Sequence, residues 1–245
     1  MLPASTRIVL FLAAVEREVL PLRRRVEGIA GKHAFSFQPR IVVTGVGKAG
    51  SACEATIALL EERPCLTVQV GCAGALPGSG LVPGDVVISD VEILADEGVE
   101  TEDGFLDLQR LGLPAGRDGL LNIYNEVPVS CPRFETWGEL LACTRGRFKV
   151  RSGRMATVST ASGTERRARE IAARWGVVAE NMEGAASALV ALRHHCPFFE
   201  VRGISNLAGE RNRAAWEIDL ACDHAAEVAI HIAATELGAQ DVHRP

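Results

Sequence analysis

Short apolar runs rich in β-branched residues alternate along the chain with stretches of helical spacing. Five runs have the pattern of strands buried on both faces: Arg7–Ala14, Arg40–Thr44, Leu66–Val70, Asp85–Ser89 and Glu200–Ile204. Helical spacing appears in five stretches between and after them: 21–26 and onward, Ser51–Glu62, Glu165–Trp175, Gly184–His195 and Glu217–Leu237. This alternation predicts an α/β fold in which helices cover a central, largely parallel sheet.

Single residues set the expected boundaries of these elements. Pro21 has no backbone N–H and is tolerated in the first turn of a helix, so the first helix is predicted to begin near Val19 or Leu20. Gly238 follows the last helical stretch and is a common residue at a helix end. Residues 111–152 are rich in Gly, Pro and polar side chains. They predict a loop insertion with one or two extra strands.

Composition limits the class of protein. The chain has 245 residues, 47% of them hydrophobic, which favours one domain over residues 1–238 and a flexible tail at 239–245. The formal net charge of −5 argues against a nucleic-acid or anionic-membrane partner, since both bind basic surfaces. The longest apolar run, Ile8–Val15, is much shorter than the roughly 20 residues that span a bilayer. It stops at charged residues 16–18, which indicates a buried strand rather than a signal peptide.

Cysteine and histidine residues indicate neither a disulfide framework nor a metal site. The seven cysteines form no C-x-x-C pair, and most lie in apolar segments where a reduced thiol packs as a small hydrophobe. We therefore expect a reducing, cytoplasmic location. His194, His195, His224 and His231 lack metal-ligand spacing with nearby acids, so we expect solvated helix positions and no bound metal.

Two glycine-rich turns follow predicted strands. Gly45–Gly50 reads G-x-G-x-x-G between a strand and a helix, which is the context of dinucleotide binding. The acid that would hold a ribose hydroxyl is missing, because the next strand ends in Gly71–Gly74 and the nearest acids, Glu61 and Glu62, precede that strand. The second turn, Gly71–Gly84, contains five glycines, and we expect both turns to bring backbone N–H groups close to another ligand. A dinucleotide-dependent oxidoreductase is kept as the alternative from another class.

Five segments in order carry a resemblance to a known family and span nearly the whole chain: AAVEREV (13–19), GVGKAGS (45–51), VGCAGAL (70–76), AENMEGAA (179–186) and VRGISN (201–206). They resemble the nucleoside phosphorylase superfamily, specifically its hydrolytic branch of methylthioadenosine/adenosylhomocysteine nucleosidases and futalosine hydrolases. The stretch DEGVETEDGFLDL (96–108) is particularly similar to futalosine hydrolases, which act in a route of menaquinone biosynthesis.

The resemblance implies a fold and a reaction. The fold is a single-domain, three-layer phosphorylase-type fold whose central mixed sheet is partly closed into a barrel and flanked by helices. The reaction is cleavage of an N-glycosidic bond without metal or organic cofactor, in a homodimer or larger homo-oligomer. Phosphorylases hold phosphate with a G-D-P-x-R segment after the first strand, whereas this chain has AAVEREV. A carboxylate there repels phosphate, so we expect hydrolysis.

Four residues match the family's catalytic and sugar-binding groups. Cleavage passes through an oxocarbenium-like sugar, which the protein must stabilise. Glu18 matches the carboxylate that orients and deprotonates the attacking water, and Glu183 matches the carboxylate that holds the ribose hydroxyls. Arg202 matches an arginine near the water and the acids, and Met182 matches a thioether beneath the sugar. Taken without the resemblance, Glu18 would be a helix-start acid and Met182 core filling.

Loop residues are expected to line the same site. Gly47 lies in the first glycine turn, and Ser162 lies in a segment, 159–164, expected beside the base. Cys72, Ala73 and Gly74 occupy the loop that is usually Ser-Ala-Gly in nucleosidases: Cys72 therefore stands where a Ser hydroxyl can hold the water. Whether Cys72 replaces a functional Ser is open, and a nucleophilic thiolate is the less favoured alternative because the sequence places no His for it.

Asn206 bears on the choice of purine. Adenine-releasing nucleosidases carry Asp at the matching position. An Asn offers an N–H donor to a 6-oxo group and a carbonyl acceptor to a protonated N7, so Asn206 favours hypoxanthine over adenine. The alternative is an Asn in a turn after a strand.

Aromatic residues are candidates for the wall around the 5′ substituent. Trp216 matches an aromatic that covers this substituent, and Arg211 or Arg213 would suit a carboxylate on it. Trp216 could equally pack against the last helix, and Phe105 could serve the same pocket from a neighbouring subunit. The residues together favour release of hypoxanthine from futalosine, with an adenine-releasing nucleosidase as the alternative. A further alternative is a non-catalytic nucleoside-binding protein. The presence of both Glu18 and Glu183 disfavours it, because such a protein would need neither acid.

Overall fold

The computed structural model describes residues 7–30 and 36–238; the predicted tail at 239–245 lies outside them. The strands are β1 (Ile8–Ala13), β2 (Gln38–Val43), β3 (Leu66–Ala75), β4 (Val86–Leu94), β5 (Gly98–Thr101), β6 (Gly104–Asp107), β7 (Gly116–Asp118), β8 (Leu121–Ile123), β9 (Glu126–Pro128), β10 (Val150–Thr157), β11 (Ala179–Asn181) and β12 (Phe198–Leu207). The α-helices are α1 (Glu16–Ala30), α2 (Lys48–Glu62), α3 (Leu108–Leu111), α4 (Phe134–Thr144), α5 (Glu165–Trp175), α6 (Gly184–Arg193) and α7 (Ile218–Gly238).

Eight strands form one mixed sheet in the order β11-β10-β4-β12-β3-β1-β2, with β9 beside β4. β11 pairs with β10 in parallel and with β3 antiparallel, so β11, β10, β4, β12 and β3 close into a ring. β1 and β2 extend the sheet from β3 in parallel. The expected mixed sheet, partly closed into a barrel and flanked by helices, is confirmed.

Buried apolar residues of the described ranges form four clusters, and helices contribute to three of them. α7 packs on β12 and β3 beside α1 and α4, in a core that includes Leu140 and Val201. α2 and α6 pack on each other around Leu59 and its neighbours, and α5 contributes Ile171 to a third core. Within the described ranges, no helix has the length and apolar character needed to cross a membrane.

The first helix begins earlier than the sequence predicts. α1 starts at Glu16, so Pro21 lies in its second turn and the predicted start near Val19 or Leu20 is wrong. The hydrogen bond that Pro21 cannot make would run to the carbonyl of Arg17. Arg17 is exposed, so water can bind that carbonyl. The earlier start places Glu18 within the first helical turn.

Residues 111–152 contain more structure than the predicted loop with one or two extra strands. They form the three short strands β7, β8 and β9 and the eleven-residue helix α4. The carboxylate of Glu236 on α7 accepts hydrogen bonds from the Arg133 N–H (3.0 Å) and the Thr136 hydroxyl (2.6 Å), which fixes the start of α4. Gly138 and the surrounding Gly and Pro residues obscure the helical spacing.

Candidate active site

A cavity of about 410 Å³ opens where β1, β3 and β12 end and where α1 and α6 begin. The carboxyl ends of strands are the usual place for ligands in α/β sheets, and this volume suits a small molecule. Ten of the twelve predicted site residues line it: Glu18, Cys72, Ala73, Gly74, Ser162, Met182, Glu183, Arg202, Asn206 and Trp216. We call Glu18, Glu183 and Arg202 the inner wall.

Backbone amides hold Glu18 on the inner wall. Its Oε2 accepts hydrogen bonds from the N–H groups of Ala14 (3.0 Å) and Val15 (3.3 Å), and its Oε1 accepts one from the Cys72 N–H (2.9 Å). These donors and the start of α1 present positive partial charge to the carboxylate. A carboxylate fixed in this way at a cavity wall can bind a water molecule and accept its proton.

Arg202 connects the acids of the site. Its Nη2 donates to Glu183 Oε2 (3.1 Å), its Nε donates to Glu200 Oε1 (2.7 Å), and its Nη1 lies 3.9 Å from Glu18 Oε1. Arg202 is 1% exposed. Burial alone would lower the pKa of Arg202, but the charges of Glu200, Glu183 and Glu18 raise it above its ordinary value. One permanent cation therefore lies beside three carboxyl groups and attracts each of them.

The Gly71–Cys72 backbone of β3 passes directly beside these charges. A Cβ on Gly71 would lie 2.5 Å from Glu18 Oε1 and 2.6 Å from Arg202 Nη1, so only glycine leaves room for this pair. The Cys72 N–H binds Glu18, and the Cys72 carbonyl accepts from Arg202 Nη1 (3.3 Å). These two contacts do not depend on the side chain and are therefore compatible with Cys in place of Ser.

The first glycine turn serves Glu183. The N–H of Gly47 donates to Glu183 Oε1 (3.0 Å), and Gly47 has φ of +90°, which favours glycine. Asn181 Oδ1 accepts from the N–H groups of Glu183 (2.9 Å) and Gly184 (2.8 Å) and so orients the start of α6. The G-x-G-x-x-G turn thus brings its backbone to a carboxylate of the same chain.

A second side of the cavity is formed by Ser162 and the end of β12. The N–H and Oγ of Ser162 donate to Glu180 (2.9 and 2.6 Å), and burial raises the pKa of Glu180 in spite of these bonds. Asn206 Oδ1 accepts from the Ser205 hydroxyl (2.7 Å), and Asn206 Nδ2 donates to the Leu207 carbonyl (2.9 Å). One N–H and one carbonyl lone pair of Asn206 therefore stay free.

Arg211, Arg213 and Trp216 line the same cavity at its solvent-exposed edge, and we call them the outer rim. The Arg211 guanidinium lies over the Trp216 ring, 5.3 Å from its centre. Both arginines are exposed, and among the described residues neither forms a salt bridge. The indole Nε1 of Trp216 is buried and likewise has no hydrogen-bond partner in the described part of the chain.

Phe105 does not reach the cavity of its own chain. It lies on β6 and packs edge to face on Trp175 of α5, with ring centres 6.3 Å apart. The guanidinium of Arg174 lies over the Phe105 ring, 4.2 Å from the ring centre. Its predicted contact with substrate stays a prediction that depends on a neighbouring subunit.

Sequence reasoning missed three acidic or amide residues around the cavity: Glu180, Asn181 and Glu200. A signal existed for Glu200, because residues two apart on a strand share a face and a buried arginine on β12 requires an acid nearby. The three-residue strand β11, which carries Glu180 and Asn181, is too short to show a period. Within the described ranges, no group of three or more His, Cys, Asp or Glu side chains is arranged to hold a metal ion.

Known proteins match the chain over most of its length. The sequence profile of the phosphorylase superfamily matches residues 9–237. The futalosine hydrolase of Thermus thermophilus is 35% identical over 80% of this chain and 82% of that protein, and that of Acidothermus cellulolyticus is 34% identical over 73% and 68%. The 5′-methylthioadenosine/S-adenosylhomocysteine nucleosidase of Geobacillus kaustophilus is 29% identical over 89% and 93%.

Solved structures show the same fold. A 5′-methylthioadenosine/S-adenosylhomocysteine nucleosidase from Neisseria meningitidis superposes with a TM-score of 0.76 at 22% identity, covering 94% of this chain and 99% of the other. The futalosine hydrolase of Helicobacter pylori superposes with a TM-score of 0.72 at 16% identity, covering 93% and 97%. At these identities the likeness establishes the fold alone.

The names of the curated relatives are those of hydrolases and nucleosidases. They confirm the expectation of an enzyme that hydrolyses an N-glycosidic bond. The profile match over almost the whole chain gives the family itself: the chain belongs to the phosphorylase superfamily.

Proposed function

We propose that the chain hydrolyses the N-glycosidic bond of futalosine, releasing hypoxanthine and dehypoxanthine futalosine. The observation that carries this choice is the free capacity of Asn206 at the end of β12. Ser205 and Leu207 occupy one carbonyl lone pair and one N–H of its amide. The remaining N–H donates to the 6-oxo group of the purine, and the remaining lone pair accepts from a protonated N7.

This pairing discriminates against adenine. A 6-amino group would present an N–H donor to the N–H donor of Asn206, and one polar group would stay unpaired in the cavity. Sites built to hydrogen-bond one purine substituent reject the analogue that lacks it by orders of magnitude. The orientation that Ser205 and Leu207 give to the Asn206 amide therefore supports hypoxanthine as the released base.

The inner wall performs the reaction. Glu18 binds the attacking water and takes its proton as the oxygen approaches C1′. The C1′–N9 bond breaks, and its electron pair passes to the purine. A proton from solvent binds N7 beside Asn206 and neutralises the departing base, and Glu18 returns the proton taken from water to solvent, so the reaction balances. Glu183 accepts hydrogen bonds from the ribose hydroxyls, and these bonds strengthen as the ring becomes cationic. Met182 packs beneath the sugar.

The outer rim binds the 5′ extension of futalosine, which carries an aromatic keto-carboxylate group. Trp216 offers a ring face and an unused Nε1–H, and Arg211 and Arg213 offer guanidinium groups that lack an acidic partner among the described residues. Guanidinium binds carboxylate through paired, charge-assisted hydrogen bonds. The rim therefore suits an anionic, aromatic extension better than a neutral methylthio group.

The curated relatives support the same substrate. The futalosine hydrolases are 34–35% identical to this chain, while the methylthioadenosine/adenosylhomocysteine nucleosidases are 28–30% identical. The second candidate is such an adenine-releasing nucleosidase. This candidate is favoured by the extent of the alignment: the nucleosidase of Geobacillus kaustophilus aligns with 89% of this chain, whereas the futalosine hydrolases align with 73–80%.

Identification of the released purine tests the proposal. Purified protein is incubated with futalosine, inosine and methylthioadenosine, each with and without phosphate, and the bases are separated by chromatography. We expect hypoxanthine from futalosine without a need for phosphate. Adenine release without hypoxanthine release would reject the role of Asn206, and a phosphate requirement would reject hydrolysis.

The proposal includes a cytoplasmic homodimer or larger homo-oligomer. Phe105 lies outside the cavity of its own chain, which is consistent with a role in a neighbouring one. Light scattering of the purified protein measures the assembly: a monomer that is fully active would remove any role of Phe105 in a neighbouring site.

A further inference from the structure

Two fully buried carboxyl groups lie behind the inner wall and outside the cavity lining. Glu92 on β4 and Glu200 on β12 are both 0% exposed, lie on two paired strands, and each perturbs the pKa of the other. Each has one oxygen with protein donors: Glu92 Oε2 binds Thr157 and Asn181, and Glu200 Oε1 binds Arg202. The other oxygens, Glu92 Oε1 and Glu200 Oε2, have no donor among the described residues.

A single proton shared by the two carboxyl groups would give each of these oxygens a hydrogen bond. Two carboxylates in contact in a dry interior cannot both be ionised, and a proton on one makes it a donor to the other. Arg202 contacts Glu200, which favours the charge on Glu200 and the proton on Glu92. The main chain of Gly184 closes this space, since a Cβ there would lie 1.8 Å from Glu200 Oε2.

Glu92 is connected to Glu183 by two sets of hydrogen bonds. The first runs through side chains: Glu200 orients Arg202, and Arg202 Nη2 donates to Glu183. The second runs through the start of α6, because Asn181 Nδ2 donates to Glu92 Oε2 (3.3 Å) while its Oδ1 accepts from the Glu183 N–H.

Thr157 adds to the second set. Its hydroxyl donates to Glu92 Oε2 (2.8 Å) and accepts from the Ala185 N–H (2.8 Å). Glu92 thus fixes the main chain of Glu183 through the second set and its carboxylate through the first. We propose that Glu92 holds a proton that it shares with Glu200 and is the positioning residue for Glu183 and Arg202.

Activity of two variants tests the positioning role. In Glu92→Gln the amide Nε2 donates to Glu200 and the carbonyl accepts from Thr157, so we expect kcat within about threefold of the wild type. Glu92→Leu removes both connections, and we expect kcat to fall about 30- to 100-fold with a smaller change in KM, because misplacement by about 1 Å costs this much. The control Glu236→Gln changes a carboxylate at the far end of α7 and should leave kcat unchanged.

The two variants test the positioning role and the shared proton separately. Full activity of Glu92→Leu would overturn the positioning role. An equal loss in Glu92→Gln and Glu92→Leu would overturn the shared proton, because a charged Glu92 would then be required. The inference rests on N-glycosidic cleavage and not on the proposed substrate, so rates are measured on whichever purine nucleoside the wild type cleaves fastest. Release of adenine would reject futalosine without affecting the ratio between variants.

Stability against pH gives a readout that does not depend on activity. Burial first, then the charge of Glu200, raise the pKa of Glu92 well above its ordinary value near 4.5, although Thr157 and Ser89 lower it. The stability contributed by the protonated form is complete below about pH 4.5 and is lost as pH rises toward the folded-state pKa.

Glu92→Gln removes this loss. The charged groups around Glu92 are Glu200, then Arg202 and Glu183 beyond it, and all three remain in the variant. The Tm of Glu92→Gln minus that of the wild type should therefore grow from pH 5 to pH 8. Infrared spectra at pH 7 should show a protonated carboxyl band that is weaker in Glu92→Gln. A difference in Tm that is independent of pH, or a band of unchanged intensity in the variant, would overturn the shared proton.

Discussion

The inner wall and the outer rim of the cavity are built in opposite ways. Glu18, Glu183 and Arg202 are at most 5% exposed, and protein donors or acceptors already satisfy each of them. On the rim, Arg211 and Arg213 are exposed and form no salt bridge in the described part of the chain. The wall is thus complete before a ligand binds, whereas the rim presents unused charge.

This contrast separates the reaction from the choice of substrate. Groups that are already hydrogen-bonded and buried do not reorganise when charge develops on the sugar, which is the requirement for electrostatic stabilisation of a transition state. Groups without partners gain most from a ligand that supplies the missing charge. Substitutions on the wall should therefore change turnover, and substitutions on the rim should change which 5′ extension binds.

The largest effect is expected on the wall, at Glu18. Glu18→Gln cannot accept the proton of water, so kcat should fall about 10³-fold while KM changes by less than about threefold. Steady-state kinetics measure both. Glu16→Gln, an exposed acid in the same helical turn, serves as the control. A minor loss in Glu18→Gln would mean that another group activates the water.

Arg202→Lys should follow, with kcat lowered about 10²-fold and Tm reduced. Lysine keeps the charge but cannot bind Glu183 and Glu200 together through a planar fork. Arg25→Lys, which alters a salt bridge between α1 and α7, should leave kcat intact. Equal kcat in Arg202→Lys and the wild type would show that charge alone is sufficient.

Asn206 lies between wall and rim, and Asn206→Asp should alter purine choice. A carboxylate no longer donates to the 6-oxo group, and an unpaired buried group costs about 1–3 kcal/mol. The ratio of kcat/KM for futalosine to that for its 6-amino analogue should fall about 30-fold. Asn212→Asp in the following loop is the matched control, and an unchanged ratio in Asn206→Asp would place base recognition elsewhere.

The smallest effect is expected on the rim. Arg211→Ala and Arg213→Ala should each raise KM for futalosine about tenfold, equivalent to about 1.4 kcal/mol, and leave the KM of inosine unchanged. Arg166→Ala, which removes an exposed arginine that pairs with Glu170 on α5, should affect neither. If both rim variants raise the KM of inosine equally, the rim is structural and does not read the carboxylate.

Much of the fold is predictable from the sequence because strands and helices depend on the local pattern of apolar residues. The five predicted strands all occur, since runs buried on both faces show a strong apolar signal, and α5 has the predicted bounds. The helix α4 and the strand β11 were not found. Gly138 interrupts the spacing of the first, and the second has only three residues. The start of α1 was misplaced because a single rule about proline outweighed the acids of its first turn.

The candidate site was predictable only where the resemblance supplied positions. Ten predicted residues converge on one cavity, yet no local pattern marks Glu180 as lining it or Glu92 as lying behind it. Glu92 lies on a different strand from Glu200, and only the order of strands in the sheet brings them together. Phe105 shows the reverse case, because its sequence context suggested a pocket while α5 holds its ring in this chain.

The sequence by itself determined the alternating elements, the glycine turns and the identities of the acids, because these depend on spacing and side-chain chemistry within short segments. The tertiary structure decided how the charges pair. Closure of the ring by β11 and β3 places Arg202 among Glu18, Glu183 and Glu200. It also places the hydrogen-bonding side chains of β4, β10 and β11 behind these residues. Charges buried together need partners from distant segments, and only the folded sheet provides those partners.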